Sequence, residues 1–293
     1  PQGAMQLIEV GLELEPDNVD LLKQHGGFAF AAGAELAAGQ QEIPPEAAEL
    51  YRKALTTFTA VYDLQGAEMD VAQLRSIINA HLNLGEVTEA IAFGERILDT
   101  HGDEAQVWSV YADALQRGER VDEAITALER VRALDPEYPN VAVRQGNWLL
   151  NSGRVDDALP IFHQAIERGE QTPDAVVNLV FTNGYNEGVR AENWAYAIRV
   201  IGLSTEFDAS AEIAQRSNFW LGYSLYRQAS VQQEPQTLET ANQTLSQFQR
   251  ALSLLQGAAS YAQQQNLENN RQELLNATQT YIEIQEAIIR RGR

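Results

Sequence analysis

The stretch Ala105-Gln-Val-Trp108-Ser-Val-Tyr111-Ala112-Asp-Ala-Leu115, followed by Val121-Asp-Glu-Ala124-Ile-Thr-Ala-Leu128-Glu-Arg-Val131 and closed by Leu134-Asp-Pro136, decides the fold. In each half the apolar residues recur at three and four, which is the spacing of one helix face, and a proline stops the second half. The neighbouring segments repeat the pattern. Ala90, Ala124 and Ala158 are evenly spaced, and the same interval separates Val87, Val121 and Val155, as it does Ile78, Ala112 and Gly146. A fixed period of about 34 residues marks stacked helix pairs, each burying its apolar face on the next. Three regular units are expected, at 71–104, 105–138 and 139–172.

Trp108, Tyr111, Ala112, Leu115, Ala124, Leu128 and Pro136 fall on the sites of the pattern W-x2-L-G-x2-Y, A-x3-F and a closing P, so the stretch resembles a tetratricopeptide repeat. The resemblance implies an all-α fold: a right-handed superhelical solenoid of antiparallel helix pairs, here with long C-terminal helices. It also implies a protein that presents a surface and catalyses nothing.

Working outward, the chain is expected to form one solenoid over 1–293. Residues 1–18 match the second helix of a repeat whose first helix is missing, which suggests a longer chain entered in mid-array, the alternative being a lone amphipathic capping helix. Residues 19–70 hold a repeat whose helices are separated by an extended connection from Gly33 to Pro45. After the regular units, 173–214 reads as a repeat with a polar, glycine-rich loop at 183–193, either a recognition loop or a mere length variation. Residues 215–293 form an atypical repeat, with a loop at 228–237, a long helix from Leu238 to Gln265 and a capping helix from Leu267 to Arg291. The last residues, Arg290-Arg291-Gly292-Arg293, suit the negative end of that helix dipole. Gly85 and Gly153 occupy turns between paired helices, while Gly118 sits one place early.

Forty-one acidic against 21 basic residues give a formal charge of −20, and residues 227–293 carry six of each, so the acidic excess lies before them. Such a surface repels phosphate backbones and anionic headgroups and attracts basic partners; it also serves solubility. Nucleic-acid binding is not expected. No apolar run approaches the roughly 18 residues needed to cross a bilayer, so direct membrane insertion is not expected either. Only Lys23 and Lys53 are lysines, every other cation being arginine, which hints at a GC-rich bacterial genome or mild halophily. The compartment expected is a bacterial cytoplasm or, by preference, the envelope. The chain has no cysteine, which removes disulfides and thiolate chemistry.

No catalytic or metal-binding motif stands out. His25 and His81 fall on positions that face the groove between paired helices, His101 and His163 are isolated, and the acidic residues gather at helix starts, where they complement the dipole. No enzyme activity, metal or cofactor is expected.

The resemblance implies that first helices line a concave groove. Its candidate residues are Arg75, Asn79 and Asn83, then Ser109 and Asp113, then Asn140, Arg144, Asn147 and Asn151, with Tyr223 from the sixth unit. An amide both donates and accepts, so a line of asparagines suits the backbone of an extended peptide. One sub-type of the family grips a C-terminal carboxylate; Arg75, Asn79 and Arg144 match its pattern but Val110 and Asn140 do not, and that recognition is not expected. The leading expectation is a scaffold or adaptor binding a peptide segment or partner protein. The alternatives are a subunit that assembles head to tail into a fibre or ring, and the interaction or sensor region of a longer chain.

Overall fold

The computed structural model describes residues 2–292, with side chains from Met5 onward. Every regular element among the described residues is helical, and the helices group into two units.

The first unit, up to Val141, contains α1 (Gln2–Leu14), α2 (Val19–Ala37), α3 (Pro45–Gln65), α4 (Val71–Asn83), α5 (Val87–His101), α6 (Ala105–Arg117) and α7 (Val121–Leu134). Side-chain caps start two of them: the Asn18 carboxamide oxygen accepts from Leu21 N at 3.1 Å, and Asp70 accepts from Ala72 N at 2.8 Å. The recurring residues of the pattern sit where the pattern requires them, since Ala90 and Ala124 are wholly buried, as are Ile78 and Ala112. The alanines at these sites let consecutive helices approach closely.

The second unit, from Ala142 on, contains α8 (Val141–Asn151), α9 (Val155–Glu167), α10 (Pro173–Asn183), α11 (Trp194–Gly202), α12 (Ala211–Gln232), α13 (Leu238–Gln256), α14 (Ala259–Gln264) and α15 (Glu268–Arg291). Ala158 is again wholly buried. At Gly146 an added Cβ would stand 2.7 Å from the Phe162 ring, so α8 and α9 meet closer than any side chain there would permit.

Several local expectations change. The connection placed at Gly33 to Pro45 is shorter, because α2 runs on to Ala37 through an alanine-rich segment of high helix propensity. Gly33 is inside that helix, where a Cβ would lie 3.3 Å from both the Ala47 carbonyl and the Tyr51 ring. The loop placed at 183–193 is helical for half its length: Gly184–Val189 forms a π-helical turn continuing α10. Helix α12 begins at Ala211 and extends to Gln232, leaving 233–237 as the connection. The single helix placed at 238–265 breaks at Gly257 and Ala258 into α13 and α14. Gly118 is not the turn residue between α6 and α7; that role falls to Glu119, with φ 59°. Arg293, the last of the basic residues placed at the end of α15, lies outside the described residues.

The acidic helix starts are paired as well as dipole-complementing. Arg120 holds Glu123 through two hydrogen bonds, Nε to Oε1 at 2.7 Å and Nη2 to Oε2 at 2.5 Å, and one repeat later Arg154 Nε reaches Asp157 at 2.8 Å. The guanidinium of Arg120 keeps the Glu123 carboxyl below the usual carboxylate range.

Candidate binding faces

In the first unit, Arg75, Asn79 and Asn83 sit at four-residue intervals along α4, on one face and all half-buried. Their roles differ. Arg75 Nη1 donates to Gln106 Oε1 at 2.7 Å, tying α4 to α6. Asn83 is hydrogen-bonded to Tyr51, whose hydroxyl is pushed to higher pKa by burial. Asn79 makes no side-chain hydrogen bond. On α6, Asp113 is half-buried and Ser109 is buried at 6% exposure, which places Ser109 in the packing of the helix. Arg117, on the same helix, donates through Nη1 to the Leu82 carbonyl at 2.9 Å and closes the end of α4. Asn140 is exposed in the turn before α8 with φ 60°, a left-handed conformation that asparagine tolerates better than most residues. Its backbone role is sufficient reason for its presence there.

In the second unit, the amides form a connected group. Asn183 Nδ2 donates to Asn151 Oδ1 at 2.5 Å, and the Asn183 oxygen accepts from the Tyr196 hydroxyl at 2.6 Å. Burial, then the nearby Glu187 carboxylate, push the Tyr196 hydroxyl to higher pKa, so it stays protonated and donating. These residues, with Glu187 and Asn193, border an open cleft of 640 Å³. A second cleft of 440 Å³ shares Asn183 and Glu187 with it and adds Asn147, Asn178, Thr182 and Asn186. Asn147, like Asn79, makes no side-chain hydrogen bond. Arg144 lies 5.1 Å over the Trp148 ring. Arg216, half-buried, donates to Asn178 Oδ1 at 2.5 Å and stacks 4.0 Å over Phe181. Tyr223 belongs to an aromatic group, 5.7 Å from Trp194 and 5.8 Å from Trp220, and accepts from Arg227 Nη1 at 2.7 Å.

Asn178, Asn183 and Tyr196 are additions to the residues expected from sequence. Asn178 stands one full period after Arg144, so continued counting reaches it; Asn183 opens the 183–193 stretch that the sequence offers as a recognition loop, while Tyr196 lies beyond the π-helical turn, which shifts the phase.

The histidines are accounted for by packing. His25 Nδ1 lies 3.0 Å from Thr57 Oγ1, His81 Nδ1 lies 2.8 Å from Glu86, His101 is buried against Thr100, and the His163 ring is 4.8 Å from that of Phe207. Among the described residues no three His, Asp or Glu side chains gather as metal ligands would, and no helix is long and apolar enough to cross a membrane.

Residues 81–146 match the family model of the tetratricopeptide repeat. That segment carries the tetratricopeptide repeat pattern. Solved structures similar to this chain include a tetratricopeptide repeat protein from Parabacteroides merdae ATCC 43184, 15% identical over 94% of this chain and 91% of that one, with a TM-score of 0.49. Yeast Tom70 is 15% identical, covers 100% of this chain with 59% of its own, and has a TM-score of 0.48. A crystal structure of MamA is 18% identical over 54% of this chain and 91% of its own, with a TM-score of 0.39. No curated protein sequence matches the chain.

Proposed function

We propose that this chain is a non-catalytic interaction scaffold that binds an extended peptide segment of a partner protein along the first helices of its pairs. One observation carries the reading: in the second unit, Asn147, Asn151, Asn178 and Asn183 border two open clefts that share residues. Amides in such a row match the alternating donors and acceptors of an extended main chain and tolerate many side chains. The acidic surface favours a basic partner.

Peptides selected from a random dodecamer display, then measured by fluorescence anisotropy, test the proposal. Methylating the peptide's backbone nitrogens is expected to abolish binding at positions where side-chain alanine scanning is tolerated. Selection that yields no binder, or binders indifferent to backbone methylation, overturns it.

Self-assembly is the second reading, and it too has an observation behind it. Helix α1 buries Met5 and Ile8 but exposes Leu7, Val10 and Leu14 at 76%, 55% and 81% on a strip flanked by Glu13 and Glu15. A second copy would offer exposed Val231 and Leu238 together with Arg290 and Arg291, opposite in charge to the flanks of that strip. Sedimentation velocity across protein concentrations decides it, with Leu14→Glu expected to abolish any association seen.

A further inference from the structure

Helices α12 and α15 leave a concavity of 460 Å³ beyond the amide clefts. Phe219, Trp220, Tyr223 and Tyr226, on successive turns of α12, supply its aromatic wall, and α15 supplies Leu274, Ala277 and Glu273. The rings are held in place. Trp220 Nε1 donates to the Tyr261 hydroxyl at 3.0 Å, and Trp220 stands edge-on to Phe219 at 5.3 Å and to Tyr223 at 5.8 Å.

Glu273 is the one ionised group among the lining residues, and it is exposed and free of ion pairs. The neighbouring cation does not serve it: Arg227 donates to the Tyr223 hydroxyl, lies 4.6 Å over Trp194 and stands 3.8 Å from Glu192. Aromatic faces and a free carboxylate both attract positive charge, and a cation's aliphatic stem fits the apolar remainder of the wall. An apolar occupant would use the rings and leave the carboxylate idle. An anionic one would meet Glu273 with like charge.

We infer that this pocket receives an arginine or lysine side chain of the bound peptide, its stem against Leu274 and Ala277 and its charged head between the α12 rings and Glu273. The inference rests on the scaffold reading above and adds the chemistry of one anchor residue.

The test uses the full chain labelled with 5-fluorotryptophan. Its four tryptophans, Trp108, Trp148, Trp194 and Trp220, then give separate fluorine signals. Three capped tripeptides are titrated in, carrying arginine, its neutral isostere citrulline, or norleucine between glycines. The arginine peptide is expected to move the Trp220 signal and to bind about tenfold more tightly than the other two. Glu273→Gln, at an exposed site, is expected to weaken the arginine peptide about fivefold and to leave the norleucine peptide unchanged. Norleucine binding as tightly as arginine, an arginine affinity unmoved by Glu273→Gln, or a Trp220 signal silent to arginine would each overturn the inference. Failure of the scaffold reading is separately visible, because Asn147→Ala probes the amide face. A selected peptide weakened by Asn147→Ala that spares the Trp220 signal sinks the anchor alone, and one indifferent to Asn147→Ala that also spares Trp220 sinks both.

Discussion

Glu119 holds the backbone conformation that Gly85 holds one repeat earlier, with φ of 59° against 76°. Gly153, in the repeat that follows, takes it again at φ 78°. The turn between paired helices therefore imposes a left-handed residue whatever its identity, and at Glu119 a Cβ must be accommodated there. A non-glycine in this region costs on the order of 1–2 kcal/mol. Glu119→Gly is accordingly expected to raise stability by about 0.5–1 kcal/mol, the relief being partly offset by the extra freedom of glycine in the unfolded chain. Urea denaturation measures it, and a lowered midpoint would refute the assignment.

Gly188 presents the opposite case. A Cβ there would stand 2.6 Å from both Cα and Cβ of Ala197, where the π-helical turn presses on α11. Backbone cannot step aside as a flexible side chain would, so Gly188→Ala is expected to cost about 1–3 kcal/mol. Thermal denaturation reads this. The conservatism of the change makes it a sharp discriminator, because in an unpacked loop the same substitution would be neutral.

The acid stability of the first unit has an identifiable contributor. Lys53 Nζ lies 2.9 Å from Glu9 Oε1 and His25 Nε2 lies 3.4 Å from it, so the lysine first and the histidine second hold the Glu9 carboxyl below its usual 4.5. A depressed carboxylate stabilises the folded state above its unfolded pKa and loses that contribution as pH falls through the folded value. Docking of α1 on α2 and α3 should therefore loosen below about pH 4.5. Hydrogen exchange of α1 amides at neutral and acid pH tests this: Glu9→Gln should flatten the difference, and an unchanged pH dependence would show that other carboxylates govern it.

Asn79 and Asn147 have amides with no partner in their own units, unlike Asn83, which bonds Tyr51, and Asn151, which accepts from Asn183. Truncating a free amide should cost binding without costing stability. Asn147→Ala is expected to weaken a peptide bound to the second unit, and Asn79→Ala one bound to the first, each about 5- to 20-fold, the loss of one or two hydrogen bonds, with an unchanged melting temperature. Equal affinities in wild type and both variants would remove these residues from the binding face.

Much of this was legible in advance where a physical constraint repeats. Ala90, Ala124 and Ala158 are all wholly buried because each marks the same close crossing, so the period alone located them. Glycine was the harder letter. Gly85 is needed for its dihedral angle, while Gly33 and Gly188 are needed for what touches them; in sequence all three resemble loop residues. That confusion placed a connection across the end of α2 and a loop across the π-helical turn. The candidate faces suffered similarly: Ser109 shares a helical register with groove positions yet is buried, and Asn183 joins Tyr196 only through tertiary packing that no local pattern encodes.

The Asn151, Asn183 and Tyr196 group has a thermodynamic corollary. Side chains already bonded to one another have surrendered their rotamer entropy on folding, so a partner arriving there finds fixed directions to satisfy and imposes little further ordering on its host. Nearly all of the remaining entropic cost then falls on the ligand, and segments stiffened beforehand by proline or cyclisation should gain the most from it.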